Sequence, residues 1–110
     1  MHEMRLHNEP FVLIRNGTKT IELRLNDEKR RKIKVGDTIT FTNRSNNEQI
    51  STAVINLHKY DSFEELYKHF DKVSLGYKED EIADPKDMEL YYSKEEQDKY
   101  GVLGIEIKLL

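Results

Sequence analysis

Cysteine is absent from the 110-residue chain, which excludes a disulfide framework and thiolate chemistry. Long apolar runs are missing too, and no stretch approaches the roughly 20 apolar residues that a bilayer-spanning helix requires. The first eight residues are polar and lack the apolar segment of a signal peptide. These absences predict a cytoplasmic protein without a membrane partner.

The charged residues are numerous and unevenly distributed. Residues 1–50 contain 10 basic and 7 acidic side chains, whereas residues 51–110 contain 8 and 14, for a net charge of −3. This excludes a uniformly basic nucleic-acid binder but leaves a local basic face open. Apolar residues make up only 36% of the chain, but they are patterned, which argues against global disorder. The length indicates one domain, 1–110.

Alternating apolar and polar residues predict five short strands. They fall near residues 2–6, 18–25, 38–42, 52–57 and 102–109. Short helices are predicted after Pro10, after the capping-box patterns at Ser62 and Ser93, and after Asp84-Pro85. Five strands interrupted by short helices fit a small curved sheet or barrel better than an alternating βαβ array.

The segment Gly-Thr-Lys-Thr-Ile-Glu-Leu-Arg at residues 17–24 is the most informative feature. The glycine ends the first helix, and Lys19 begins the next strand, on which Thr20, Glu22 and Arg24 share one face. A cation, a hydroxyl, a carboxylate and a rigid guanidinium are suited to hold a polar planar ligand. An exposed strand face with laddered charges is the simpler alternative.

Three other features are candidates for contact with a ligand. A basic run over residues 29–34, including Lys29, Arg30 and Arg31, is suited to bind phosphates, although for the run taken alone a solvated loop is the better explanation. Tyr77 lies in a loop and is a candidate for stacking on a base. In the same loop, Glu79 or Glu81 could fold over a cleft.

No cofactor or metal is expected. The four histidines show no ligand spacing, and the chain contains no Walker or dinucleotide-binding fingerprint. The residues alone support no Ser/His/Asp arrangement, and they do not indicate the oligomeric state.

The string at 17–24, the Val-Gly-Asp turn at 35–37 and the closing strand Gly-Ile-Glu-Ile at 104–107 together resemble the ASCH domain of the PUA-like superfamily. The resemblance implies an α+β fold with a mainly β core: a PUA-like barrel of about five strands with short flanking helices. It also implies a cleft that binds RNA or a modified nucleoside, with Lys19, Glu22 and Arg24 at the matching positions.

One branch of the family is an amidohydrolase acting on N4-acetylcytidine, with a Lys, a Thr three residues later and a later Glu. Lys19 matches the Lys, but Glu22 stands where the Thr is needed. The resemblance therefore favours binding, with two alternatives. One is a hydrolase, either an amidohydrolase using Lys19, Glu22 and Glu79 or Glu81, or a ribonuclease. The other is an interaction protein whose acidic helices at 84–99 dock a basic partner.

Overall fold

A computed structural model describes residues 1–110 and contains five strands and three short α-helices. The strands are β1 (His2–Leu6), β2 (Ile21–Leu25), β3 (Thr38–Asn43), β4 (Gln49–Tyr60) and β5 (Val102–Leu109). The helices are α1 (Asn8–Arg15), α2 (Phe63–Tyr67) and α3 (Lys94–Tyr100). Two 3-10 helices, Arg30–Lys32 and Pro85–Leu90, complete the regular structure.

All five strands belong to one sheet with the order β1-β3-β4-β5-β2. The β1–β3 pair is parallel and the other three pairs are antiparallel. The sheet curls into a half-barrel, which confirms the predicted α+β, PUA-like architecture. Across the open side, Arg24 Nη2 of β2 donates to the backbone carbonyl of Arg5 in β1 at 3.4 Å.

The sheet is buried on both faces at its β5–β2 end. One apolar cluster contains Leu103, Ile105 and Ile107 of β5 together with residues of β1, α1 and β3. A second cluster packs Ile21, Leu23 and Leu25 of β2 against Phe63 and Leu66 of α2, and against Leu75 and Met88. Glu22 and Arg24 pair with Ile105 and Leu103, so the two charges share a sheet face with the first cluster.

Strand β4 departs from the simple alternation of its sequence. A register shift separates Val54 from Asn56. Thr52 and Val54 are buried, whereas Ile55, the apolar residue at the irregularity, is 45% exposed. Such a bulge adds one residue to a strand and changes the face on which the following side chains lie.

The helix boundaries follow the predicted signals, with local differences. Ser93 forms the complete capping box with Glu96, whereas at Ser62 only one half of the box is formed, in which the hydroxyl accepts from the Glu65 amide. The segment after Asp84 is a 3-10 helix, with the Asp84 side chain accepting from the Lys86 amide. None of the helices has both the length and the apolar character needed to cross a bilayer.

Candidate ligand-binding cleft and basic groove

A cleft of about 520 Å³ opens between β2, the β1–α1 corner and the segment 75–92. One wall carries Lys19, Glu22 and Arg24, and four tyrosines also belong to the lining. The other lining residues are Arg5, Leu6, His7, Glu9, Pro10, Leu13, Leu23, Arg44, Tyr67, Leu75, Gly76, Tyr77, Asp87, Met88, Tyr91 and Tyr92. The cleft is therefore assembled from segments far apart in the sequence.

Lys19 is positioned by the end of α1. Gly17 has a φ of 83°, a conformation that glycine adopts without the steric cost of a Cβ. The amides of Thr18 and Lys19 then both donate to the Leu13 carbonyl. This path places the Lys19 side chain in the cleft, where it is 6% exposed and its Nζ donates to the Leu75 carbonyl at 2.7 Å.

Gly76 allows the close packing over Lys19. A Cβ at residue 76 would lie 3.1 Å from Lys19 Cδ and 3.3 Å from Lys19 Nζ, and the φ of Gly76 is 106°. A larger residue at this position would combine backbone strain with a steric contact. Burial lowers the pKa of Lys19, Arg24 adds to that effect, and Glu22 opposes it.

Glu22 and Arg24 form the ion pair of the wall. Arg24 Nε and Nη2 lie 2.9 and 2.7 Å from Glu22 Oε2, and both side chains are largely buried. The second oxygen, Oε1, is 3.8 Å from Lys19 Nζ, beyond the range of a direct hydrogen bond. Glu22 Oε1 therefore has no donor within direct hydrogen-bond range, although it forms an ion pair with Lys19 at this distance.

The electrostatic balance at Arg24 keeps its guanidinium charged. Burial acts to lower the pKa of Arg24, but attraction to Glu22, followed by the influence of Tyr92, outweighs it and raises the pKa. Burial also raises the pKa of Tyr92. A permanently charged, fixed donor group thus lies beside the Oε1 oxygen of Glu22.

Tyr67, Tyr77 and Asp87 of the cleft lining form a chain of hydrogen-bonded side chains. The Tyr67 and Tyr77 hydroxyl oxygens are 2.9 Å apart, and Tyr77 Oη is 2.8 Å from Asp87 Oδ2. Tyr77 Oη also lies 3.2 Å from the Asp84 carbonyl. Burial is the main cause that raises the pKa values of Tyr67 and Tyr77, so both phenols are neutral near pH 7.

A second concavity of about 670 Å³ adjoins the cleft. It is called the basic groove here, and its lining residues are Glu3, Met4, Arg5, Arg24, Lys29, Arg30, Thr42, Arg44, Asn47 and Gln49. Arg5, Arg24 and Arg44 line both concavities, so the two are continuous. Arg30 pairs with Asp27 at 3.3 Å, whereas no acidic side chain pairs with Arg5, Lys29 or Arg44.

Most of the residues that the sequence singled out come together. Lys19, Glu22, Arg24 and Tyr77 line the cleft, and Lys29 and Arg30 line the groove. The first three lie in the wall of a concave cleft and not on a flat open surface. A flat surface is what the interaction-protein hypothesis, in which these residues are only structural, would favour.

Thr20 and Arg31 lie outside both concavities. Thr20 precedes β2, which begins at Ile21, so strand alternation does not extend back to it, and Lys19 takes its place in the cleft. Arg31 turns to the backbone carbonyls of Asn26 and Tyr100. These two residues are therefore removed from the expected ligand contacts.

Glu79 and Glu81 are exposed and do not line the cleft. Their backbone carbonyls accept from Lys72 Nζ at 2.6 and 2.8 Å, and the Glu81 carboxylate accepts from the Lys78 amide. These bonds close the loop on itself. Asp87 is the acid that this segment brings to the cleft, which corrects the expectation for both glutamates.

Sequence reasoning missed Arg5, Arg44, Tyr67 and Asp87. Arg5 follows the alternation of β1, so its position on the polar face between Met4 and Leu6 was a usable signal. Arg44 follows the end of β3, and its amide donates to the Leu6 carbonyl. No local pattern distinguishes Tyr67 or Asp87 from other helix residues.

Comparison with known proteins identifies similar chains. The ASCH domain family model matches residues 4–110. The crystal structure of hypothetical protein PH0355 is 33% identical, with a TM-score of 0.82, covering 98% of this chain and 97% of that one. The solution NMR structure of protein PF0455 from Pyrococcus furiosus is 34% identical, with a TM-score of 0.72, covering 99% and 96%. No curated protein matches the sequence.

Proposed function

The chain belongs to the ASCH domain family, and from that premise we propose that it binds RNA or a modified nucleoside in the cleft lined by Lys19, Glu22 and Arg24. The observation that carries the proposal is the wall itself: two buried cations and a carboxylate that keeps one oxygen unbonded face an open cleft. The association of this family with RNA binding supports the same class of ligand.

The size of the cleft suits one nucleoside. Its volume of about 520 Å³ lies in the range of about 300–1,000 Å³ that is typical of small-molecule sites. Arg24 and Lys19 supply donors and Glu22 supplies an acceptor, which is the set that hydrogen-bonds the edge of a base. The tyrosines of the cleft lining supply aromatic surface on which a base can stack.

The basic groove is suited to the phosphates on either side of that nucleoside. Arg5, Lys29 and Arg44 have no acidic partner, and the groove shares Arg24 with the cleft. Cations that contact phosphates add affinity that depends on salt and not on sequence. A ligand that occupies both concavities is therefore a nucleotide within a single strand.

The experiment is a titration of wild type, Lys19→Ala and Arg24→Ala with nucleosides and short single-stranded RNAs. We expect each variant to lose about tenfold or more in affinity, because each loses a buried charged donor. Arg15→Ala is the control, since Arg15 pairs with Glu48 on an exposed surface outside the cleft. Unchanged affinity in both cleft variants, with their fold verified by circular dichroism, contradicts the proposal.

Hydrolysis of an acylated cytidine or a related amide is the second candidate. It is favoured by the lowered pKa of Lys19, because a buried lysine with a lowered pKa is suited to accept a proton. With no threonine at position 22, water activated by Glu22 replaces a covalent nucleophile, and Asp87 replaces Glu79 or Glu81 as the acid. Incubation with N4-acetylcytidine tests it, and failure to detect cytidine by chromatography removes it.

A further inference from the structure

The direction of the hydrogen bonds along Tyr67, Tyr77 and Asp87 determines what the cleft offers to a ligand. A phenol has one proton to donate, whereas a carboxylate and a backbone carbonyl only accept. Tyr77 Oη has two acceptors within range, Asp87 Oδ2 at 2.8 Å and the Asp84 carbonyl at 3.2 Å. Its proton is therefore directed toward the segment 84–87.

The direction in which the Tyr67 hydroxyl donates follows from that of Tyr77. Because the proton of Tyr77 is directed to the acidic segment, the 2.9 Å contact between the two phenols is a hydrogen bond only if Tyr67 donates to Tyr77. Burial keeps Tyr67 neutral by raising its pKa. The Tyr67 oxygen, with its proton engaged, can only accept from a molecule in the cleft.

We infer that the Tyr67–Tyr77–Asp87 chain makes the cleft selective for a base whose exocyclic group at the Tyr67 oxygen is an amine, which donates, over one whose group there is a carbonyl, which only accepts. Glu22 Oε1 adds a second acceptor to the lining of the cleft. Tyr67 is then the residue that touches the ligand, and Tyr77 and Asp87 are positioning residues. The inference rests on the proposed function, since it specifies the ligand of the same cleft.

Two matched ligand pairs test the inference. Cytidine and uridine, and adenosine and inosine, differ by an exocyclic amine in place of a carbonyl, with the adjacent ring nitrogen changing from an acceptor to an N–H donor, and each is used free and within a short single-stranded RNA. We expect wild type to bind the amino member about tenfold more tightly, since the carbonyl member leaves the Tyr67 oxygen facing an acceptor.

The variants distinguish an effect of hydroxyl orientation on the ligand preference from an effect of side-chain packing. In Tyr77→Phe the Tyr67 hydroxyl loses its acceptor and becomes free to donate to a ligand. Tyr67→Phe removes the oxygen that accepts from the ligand. In both variants the preference for the amino member is expected to fall below about threefold. Asp87→Asn retains an oxygen that accepts from Tyr77 and should keep most of the preference. Tyr100→Phe is the control, since Tyr100 lies outside the cleft and its hydroxyl makes no hydrogen bond.

The outcomes distinguish failure of this inference from failure of the proposed function on which it rests. Binding without an amino preference, or with a preference that survives Tyr77→Phe, overturns the inference and leaves the proposed function standing. Absence of binding to all free nucleosides and RNAs overturns both. A preference that is lost in Tyr77→Phe and Tyr67→Phe but retained in Asp87→Asn supports the inference.

Discussion

Lys19, Glu22 and Arg24 on the cleft wall are largely buried, whereas Arg5, Lys29 and Arg44 in the adjoining groove are exposed. The wall residues are held by bonds to one another and to the Leu75 carbonyl. The groove residues have no acidic partner.

Burial strengthens each electrostatic interaction but makes an unpaired charge costly. Exposure leaves each charge screened and individually weak. Under the proposed function, the wall therefore links ligand recognition to folding, and the groove does not.

Removing Glu22 is expected to give the largest effect. Glu22→Ala leaves Arg24 and Lys19 buried without a counter-charge, which should lower the free energy of unfolding by about 3–5 kcal/mol. Urea denaturation measures the change. Glu48→Ala is the matched control, because it removes an exposed carboxylate from Arg15 and should cost less than about 1 kcal/mol. Equal effects of the two substitutions would contradict the distinction between buried and exposed charge.

Gly76→Ala is expected to give the second largest effect. Both Gly76 and Gly36 have a positive φ, which an alanine adopts only with strain. The new Cβ at residue 76 would also contact the Lys19 side chain, whereas at residue 36, with a φ of 95°, it would face open space. Strain of about 1–2 kcal/mol is common to both substitutions, and crowding adds about 1 kcal/mol at Gly76. The difference in unfolding free energy between the two variants isolates the Lys19 contact, and no difference would refute it.

The pH dependence of stability tests the buried lysine. Because burial lowers the pKa of Lys19 below 10.5, the unfolded chain binds more protons than the folded protein between the two pKa values. Unfolding free energy should therefore rise with pH across that window, by up to about 1.4 kcal/mol per pH unit. Lys19→Met should lack this contribution, whereas Lys108→Met, at an exposed site, should keep it. Parallel curves for wild type and Lys19→Met would contradict the prediction.

The smallest effects on stability are expected in the groove. Arg5→Ala and Arg44→Ala should change unfolding free energy by no more than about 0.5 kcal/mol. Each should reduce the slope of log affinity against log salt for single-stranded RNA by about 0.7. Lys108→Ala, outside the groove, is the control. A salt slope that stays unchanged in both arginine variants would show that the groove does not contact phosphates.

Local sequence signals were sufficient where one segment carries the whole geometry. The glycine at 17 ends α1 at the predicted place, and the alternation of β2 puts Glu22 and Arg24 on one face. The capping box at Ser93 begins α3 as predicted. The alternation of β4 did not predict its buried face: Thr52 and Val54 are buried and Ile55 is exposed, and a register shift against β5 interrupts the strand between Val54 and Asn56.

Local sequence patterns were enough to predict the five strands, the helix starts and the charged string at 17–24, because backbone preferences and hydrophobic periodicity act over a few residues. Long-range packing brings Lys19 to Leu75, 56 positions away, adds Arg5 and Arg44 to the groove, and places Asp87, in place of Glu79 or Glu81, in the lining of the cleft. Those contacts depend on how far the sheet curls and on which loop bonds to itself. Both are set by packing between distant segments, and no short pattern records them.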